Sequence, residues 1–123
     1  MAIINVKGTH DVIGDEAELY QTVESTMRLM SKQYAFNEVR PPVLEHSELF
    51  IRGVGESSDV VRKEMYTFLD KGDRSLTLRP EFTAGIMRLI VQNKLYATNE
   101  MPLKYFYLGP VFHNGRQDLN KNI

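Results

Sequence analysis

Three side chains in the stretch LTLRPEFTAG (residues 76–85) carry the most pointed chemistry in this sequence: Arg79, Glu81 and Thr83. They stand two residues apart, where a strand pattern hands over to a helix pattern. Pro80 stiffens the backbone between the two opposite charges. A fixed carboxylate beside a hydroxyl suits a cationic ligand such as an amino group, because charge-assisted hydrogen bonds are the strong ones. The same residues have a plainer use. Acidic and hydroxylated side chains at a helix N-terminus stabilise it by about 0.5–2 kcal/mol. Arg79 is then a sheet-face charge paired with Glu81. Residue types alone favour the plainer use.

Other candidates are weaker. Gly53-x-Gly55-Glu56 lacks the spacing of a phosphate loop and reads as a turn. Arg62-Lys63 beside Glu64 reads as a solvated charge cluster. His10-Asp11 suggests an oriented imidazole, but no nucleophile lies near it in sequence. The absence of cysteine excludes disulfides, thiolate metal sites and a cysteine nucleophile. No serine sits in a nucleophile-elbow context. His10, His46 and His113 are far apart, so no metal site is expected.

Composition sets the remaining bounds. With 42% apolar and 25% charged residues, the chain has the make-up of one soluble domain. A net charge of −1 excludes an overall basic field, so any nucleic-acid contact must be local. No apolar run reaches the roughly 18 residues of a membrane span. Met1-Ala2-Ile3-Ile4 lacks the basic start of a signal peptide. A cytoplasmic protein without membrane contact is the expectation.

The elements that must position Glu81 follow from periodicity. Leu19, Tyr20, Val23, Met27, Met30 and Tyr34 predict a helix over 15–34. Phe36 to Leu44 contains Pro41-Pro42 and reads as one extended strand at an edge or interface. Ser47 is expected to cap a short helix through Arg52. Glu64–Leu69 and Ser75–Arg79, joined by Asp70-Lys71-Gly72-Asp73-Arg74, predict an antiparallel hairpin, with Leu76 and Leu78 sharing one face. Phe82, Ile86, Leu89 and Ile90 predict a helix to about Asn93. A turn at 99–102 and a buried strand, Tyr105–Leu108, follow. The outline is an α+β fold, an antiparallel sheet flanked by helices.

The strings KGTHDV, FNEVRPPVLEHSELFIRGVGESSDVVRKEMYTFLD and SLTLRPEFTAGIMR together resemble histidyl-tRNA synthetase, a class II aminoacyl-tRNA synthetase. The resemblance runs from about Lys7 to Phe112. It implies an incomplete class II catalytic core over residues 1–112, with a divergent tail over 113–123 that is expected to be mobile. It also implies that residues 34–43 are the first signature motif, with Pro42 at the interface of a homodimer. Glu81 and Thr83 match positions that hold the α-amino group of bound histidine, which reverses the preference stated above. The implied activity is two-step. The histidine carboxylate attacks the α-phosphate of ATP, releasing pyrophosphate, and the activated histidine passes to its tRNA. Histidine, ATP, magnesium and tRNA are therefore implied for the intact family.

The resemblance breaks after Phe112. The family carries an arginine for the α-phosphate next, and His113 stands there. The family's acidic position is Gly115. Imidazole does not reproduce a bidentate, permanently charged guanidinium. Losing one such donor slows chemistry by about 10²–10³. The expectation is a fragment of a histidine–tRNA ligase, inactive or nearly so alone, with no cofactor bound tightly. The alternatives are a non-catalytic, synthetase-like regulatory subunit, or a dimerising remnant that pairs with a full-length enzyme.

Overall fold

The computed structural model describes residues 2–52, 64–97 and 102–112. Helix α1, Gly14–Gln33, begins with Asp15 and Glu16 and carries Lys32 in its last turn, charges that complement its dipole. It ends in a left-handed cap. Ala35 has φ 64°, its N–H donates to Lys32 O (3.0 Å), and the N–H of Phe36 donates to Ser31 O (2.8 Å). The predicted apolar stripe is present but not buried. Tyr20, Val23, Met27 and Met30 remain about half exposed.

The expected single strand from Phe36 to Leu44 is two strands in two different sheets. Strand β1, Asn37–Glu38, pairs in parallel with β5, Tyr105–Phe106. Strand β2, Leu44–His46, pairs antiparallel with β4, Ser75–Leu78. The break falls at Pro41-Pro42, which have no N–H to donate. Strand β5 is shorter than expected and only half buried.

The hairpin is as expected. Strand β3, Tyr66–Leu69, pairs antiparallel with β4, and the three-stranded order is β2-β4-β3. Asp70 organises the turn. Its Oδ1 accepts from the N–H groups of Gly72 (2.8 Å) and Arg74 (2.9 Å), and its Oδ2 accepts from Arg74 Nε (2.9 Å). Helix α3, Thr83–Gln92, follows β4, with the short α2, Ser47–Ile51, before the hairpin.

The packed face of the sheet is not the leucine face. Register places Leu44, Leu78 and Tyr66 in one row and His46, Leu76 and Phe68 in the next, all on one side. Leu44, Tyr66 and Phe68 are 40%, 45% and 45% exposed, whereas Thr77 on the opposite side is fully buried. The buried side also holds Glu45, Ser47 and Arg79, with Phe50 of α2 and Ala84 of α3. Ser47 therefore does not cap α2. Thr77 Oγ1 donates to Ser47 Oγ (2.7 Å), Ser47 meets Ser75 Oγ (2.7 Å), and Thr67 meets Thr77 (3.0 Å). Hydroxyls brought to one dry face satisfy one another first.

Candidate functional site

The junction from β4 to α3 is where the sequence candidates meet the fold. Glu81 is half buried, and its carboxylate oxygens accept from the N–H of Ala84 at 3.3 and 3.4 Å. The carboxylate thus caps α3. Both contacts are long, and an ionised carboxylate has about four lone-pair sites, so acceptor capacity remains. Thr83 is exposed as the first residue of α3, on the same turn. Pro42 is exposed, while its neighbour Pro41 is buried. His113, with the Gly53–Asp59 loop, Arg62-Lys63 and most of the 99–102 turn, lies outside the described residues.

The expected Arg79–Glu81 pairing is replaced by something else. The backbone of β4 turns Arg79 onto the buried side beside Thr77, and only 7% of it is exposed. Its Nε donates to Pro110 O (2.8 Å) and its Nη1 to Pro41 O (2.9 Å). Its guanidinium lies 4.4 Å from the centre of the Phe82 ring, which is itself 4.5 Å from Tyr107. Burial pushes its pKa below the usual arginine range, and the nearby Glu45 carboxylate partly offsets this. It stays charged at any physiological pH.

A cleft of about 240 Å³ opens beside Arg79, lined by Arg28, Glu38, Arg40, Phe82 and Pro110 among others. Glu38 holds Arg28 (2.6 Å) and Arg40 (2.9 Å), and hydrogen bonds from Arg40 and then Arg28 lower its carboxyl pKa. Glu81 does not line this cleft. His10 sits 3.5 Å from Glu16 rather than against Asp11, with both side chains largely exposed, an arrangement worth little.

Behind the junction, Arg88 of α3 donates from Nη2 to the buried Glu45 of β2 (2.9 Å) and from Nη1 to Gln92 (2.9 Å). Gly85 makes this fit, since a Cβ there would lie 3.1 Å from Glu45 Oε2 and 3.5 Å from Pro41. Sequence reasoning missed Glu45, Arg88 and the carbonyl contacts of Arg79. The one signal was an acidic residue directly after the apolar pair Val43-Leu44. Among the described residues no three His, Asp or Glu side chains converge as a metal site requires, so no metal-dependent step is assigned to them.

Comparison with known proteins bears on the whole chain. Residues 8–122 match the family model described as histidyl-tRNA synthetase. A histidine–tRNA ligase of Malacoplasma penetrans is 46% identical over 122 residues, covering 99% of this chain and 29% of that protein. The crystal structure of apo Staphylococcus aureus histidyl-tRNA synthetase is 34% identical with a TM-score of 0.78, covering 90% of this chain and 26% of that one. A structure described as an ATP phosphoribosyltransferase regulatory subunit/histidyl-tRNA synthetase from Bacillus halodurans has a TM-score of 0.74 at 21% identity, covering 92% of this chain and 28% of that one, a likeness of fold alone. The chain spans less than a third of the length of the relatives it matches.

Proposed function

Because the chain belongs to the histidyl-tRNA synthetase family, we propose that it supplies the amino-acid-holding part of a histidine–tRNA ligase. Glu81 and Thr83 grip the α-amino group of histidine. The observation that carries this reading is the Glu81 carboxylate just past β4, which among the described residues makes two long contacts, both to Ala84 N–H. Held by the helix start on one side, it keeps acceptor lone pairs for an ammonium on the other. The tie to Ala84 limits the carboxylate's rotamers, so less freedom is lost when histidine binds.

In the intact family's reaction, the histidine carboxylate oxygen attacks the α-phosphorus of ATP and pyrophosphate leaves. The contribution of this part of the chain is orientation. Glu81 fixes the ammonium end, and the amino acid's carboxylate is thereby aimed away from it. ATP supplies the phosphorus, and none of the described residues is assigned to it. With His113 in place of the expected arginine, this chain alone gives no detectable histidine-dependent ATP–pyrophosphate exchange. Turnover near that of a full-length ligase would refute that.

Titration calorimetry tests the grip. Wild-type chain binds histidine, and Glu81→Gln loses about 10- to 150-fold in affinity, the range for one charge-assisted hydrogen bond. Histidinol, which keeps the amino group, follows the same loss. An unchanged affinity in Glu81→Gln sinks the assignment.

The exposed apolar stripe of α1 and the exposed Pro42 support assembly with a second copy through this side. Sedimentation should give a dimer or larger. A monomer at tens of micromolar would remove that part.

A further inference from the structure

The Arg79 side chain ties together three segments that are distant in sequence, and no step of the proposed reaction uses it. We infer that Arg79 is a positioning residue: it locks the Pro41 and Pro110 segments onto the end of β4, so that the junction carrying Glu81 keeps one geometry. The inference rests on the proposed histidine site for its functional part and on the structure alone for the clamp.

Four backbone groups converge on this one residue. The Arg79 N–H donates to Val43 O (2.9 Å), and Arg79 O accepts from the N–H of Phe112 (2.8 Å). The side chain adds Pro41 O and Pro110 O. Pro80, directly after it, has no N–H, so the backbone alone cannot continue the ladder toward Glu81. The side chain replaces the missing tie. Two donors of one rigid guanidinium reach carbonyls of two separate segments, which a lysine ammonium on a flexible stem does not reproduce.

The surroundings are cut to this group. A Cβ on Gly109 would lie 2.7 Å from Arg79 Nη2 and 3.3 Å from Phe82 Cζ, so a side chain there forces the guanidinium to shift. Phe82, the residue after Glu81, covers the guanidinium face. A buried charge is expensive unless its partners are held in place. The arrangement therefore resists small displacements of Pro41, Pro110 and Phe82 together.

The test uses the full 123-residue chain with Arg79→Lys and, separately, Gly109→Ala, which leaves the arginine but crowds it. Amide hydrogen exchange reads the clamp, and histidine titration reads its consequence. In both variants, protection at the amides of residues 79 and 112 falls at least about tenfold while those of Ile86 and Asn93 in and after α3 hold. Histidine affinity falls by about tenfold or more in the same samples. Unchanged protection at residue 112 in both variants overturns the clamp, as does a uniform loss that includes Ile86. Local loss with unchanged histidine affinity overturns the positioning role. If wild-type chain binds no histidine, the proposed function falls and the exchange pattern alone decides the clamp.

Discussion

Removing the Glu45 carboxylate is the sharpest perturbation of the scaffold behind the site. Its side chain is 6% exposed and stands 2.9 Å from Arg88, whose side chain is 29% exposed. At that distance and an effective dielectric near 20, the attraction is about 6 kcal/mol before desolvation is counted. Breaking a buried pair costs about 3–5 kcal/mol, because it strands the partner charge. Arg88 keeps some access to water, which places Glu45→Ala near the lower end, about 3 kcal/mol. Arg88 is also imperfectly satisfied, since its buried Nε makes no hydrogen bond among the described residues. Urea unfolding followed by circular dichroism reads the loss, and the melting temperature should fall by roughly 10 °C. A double-mutant cycle with Arg88→Ala should return a coupling of about 2 kcal/mol. A loss below about 1 kcal/mol for Glu45→Ala, with coupling inside the roughly 0.5 kcal/mol of simple additivity, would refute the reasoning. It would mean that α3 is held to β2 by packing rather than by charge.

Two further predictions concern local elements. Ala35 occupies the left-handed cap of α1 with a Cβ that this conformation disfavours. Ala35→Gly should therefore raise stability by about 0.5–1 kcal/mol after the entropy of glycine is deducted, read from the urea midpoint; a loss would show that the methyl packs against something. Asp70 is held below the usual carboxylate range, first by the backbone N–H of Arg74, then by that of Gly72 and by the Arg74 side chain. Its folded pKa lies below its unfolded one, so its contribution is complete above about pH 4 and disappears as pH falls through the folded pKa. Melting curves of wild type and Asp70→Asn should differ at about pH 6 and converge on the acid side, whereas a gap independent of pH would assign the turn's stability to shape rather than charge.

The α+β plan was legible in the chain before any coordinates. Helical period specifies α1 and α3, and the Asp70–Arg74 turn specifies the hairpin, because both depend on neighbours in sequence. The junction at Arg79, Pro80 and Glu81 was legible for the same reason. The family was legible because its strings are local too. Pairings between distant segments were not. That β1 joins β5 and β2 joins β4 depends on where Pro41-Pro42 interrupts the backbone, and on partners some 30 to 70 residues away in the chain.

The sequence alone decided which residues carry charge, where the helices run and where a carboxylate meets a helix start. Tertiary structure alone decided which side of the sheet is dry. Alternation put Leu76 and Leu78 on one face and Thr77 and Arg79 on the other, but period two does not say which face the helices cover. They cover the polar one, because hydroxyls there satisfy one another, Glu45 finds Arg88, and the Arg79 guanidinium finds two carbonyls.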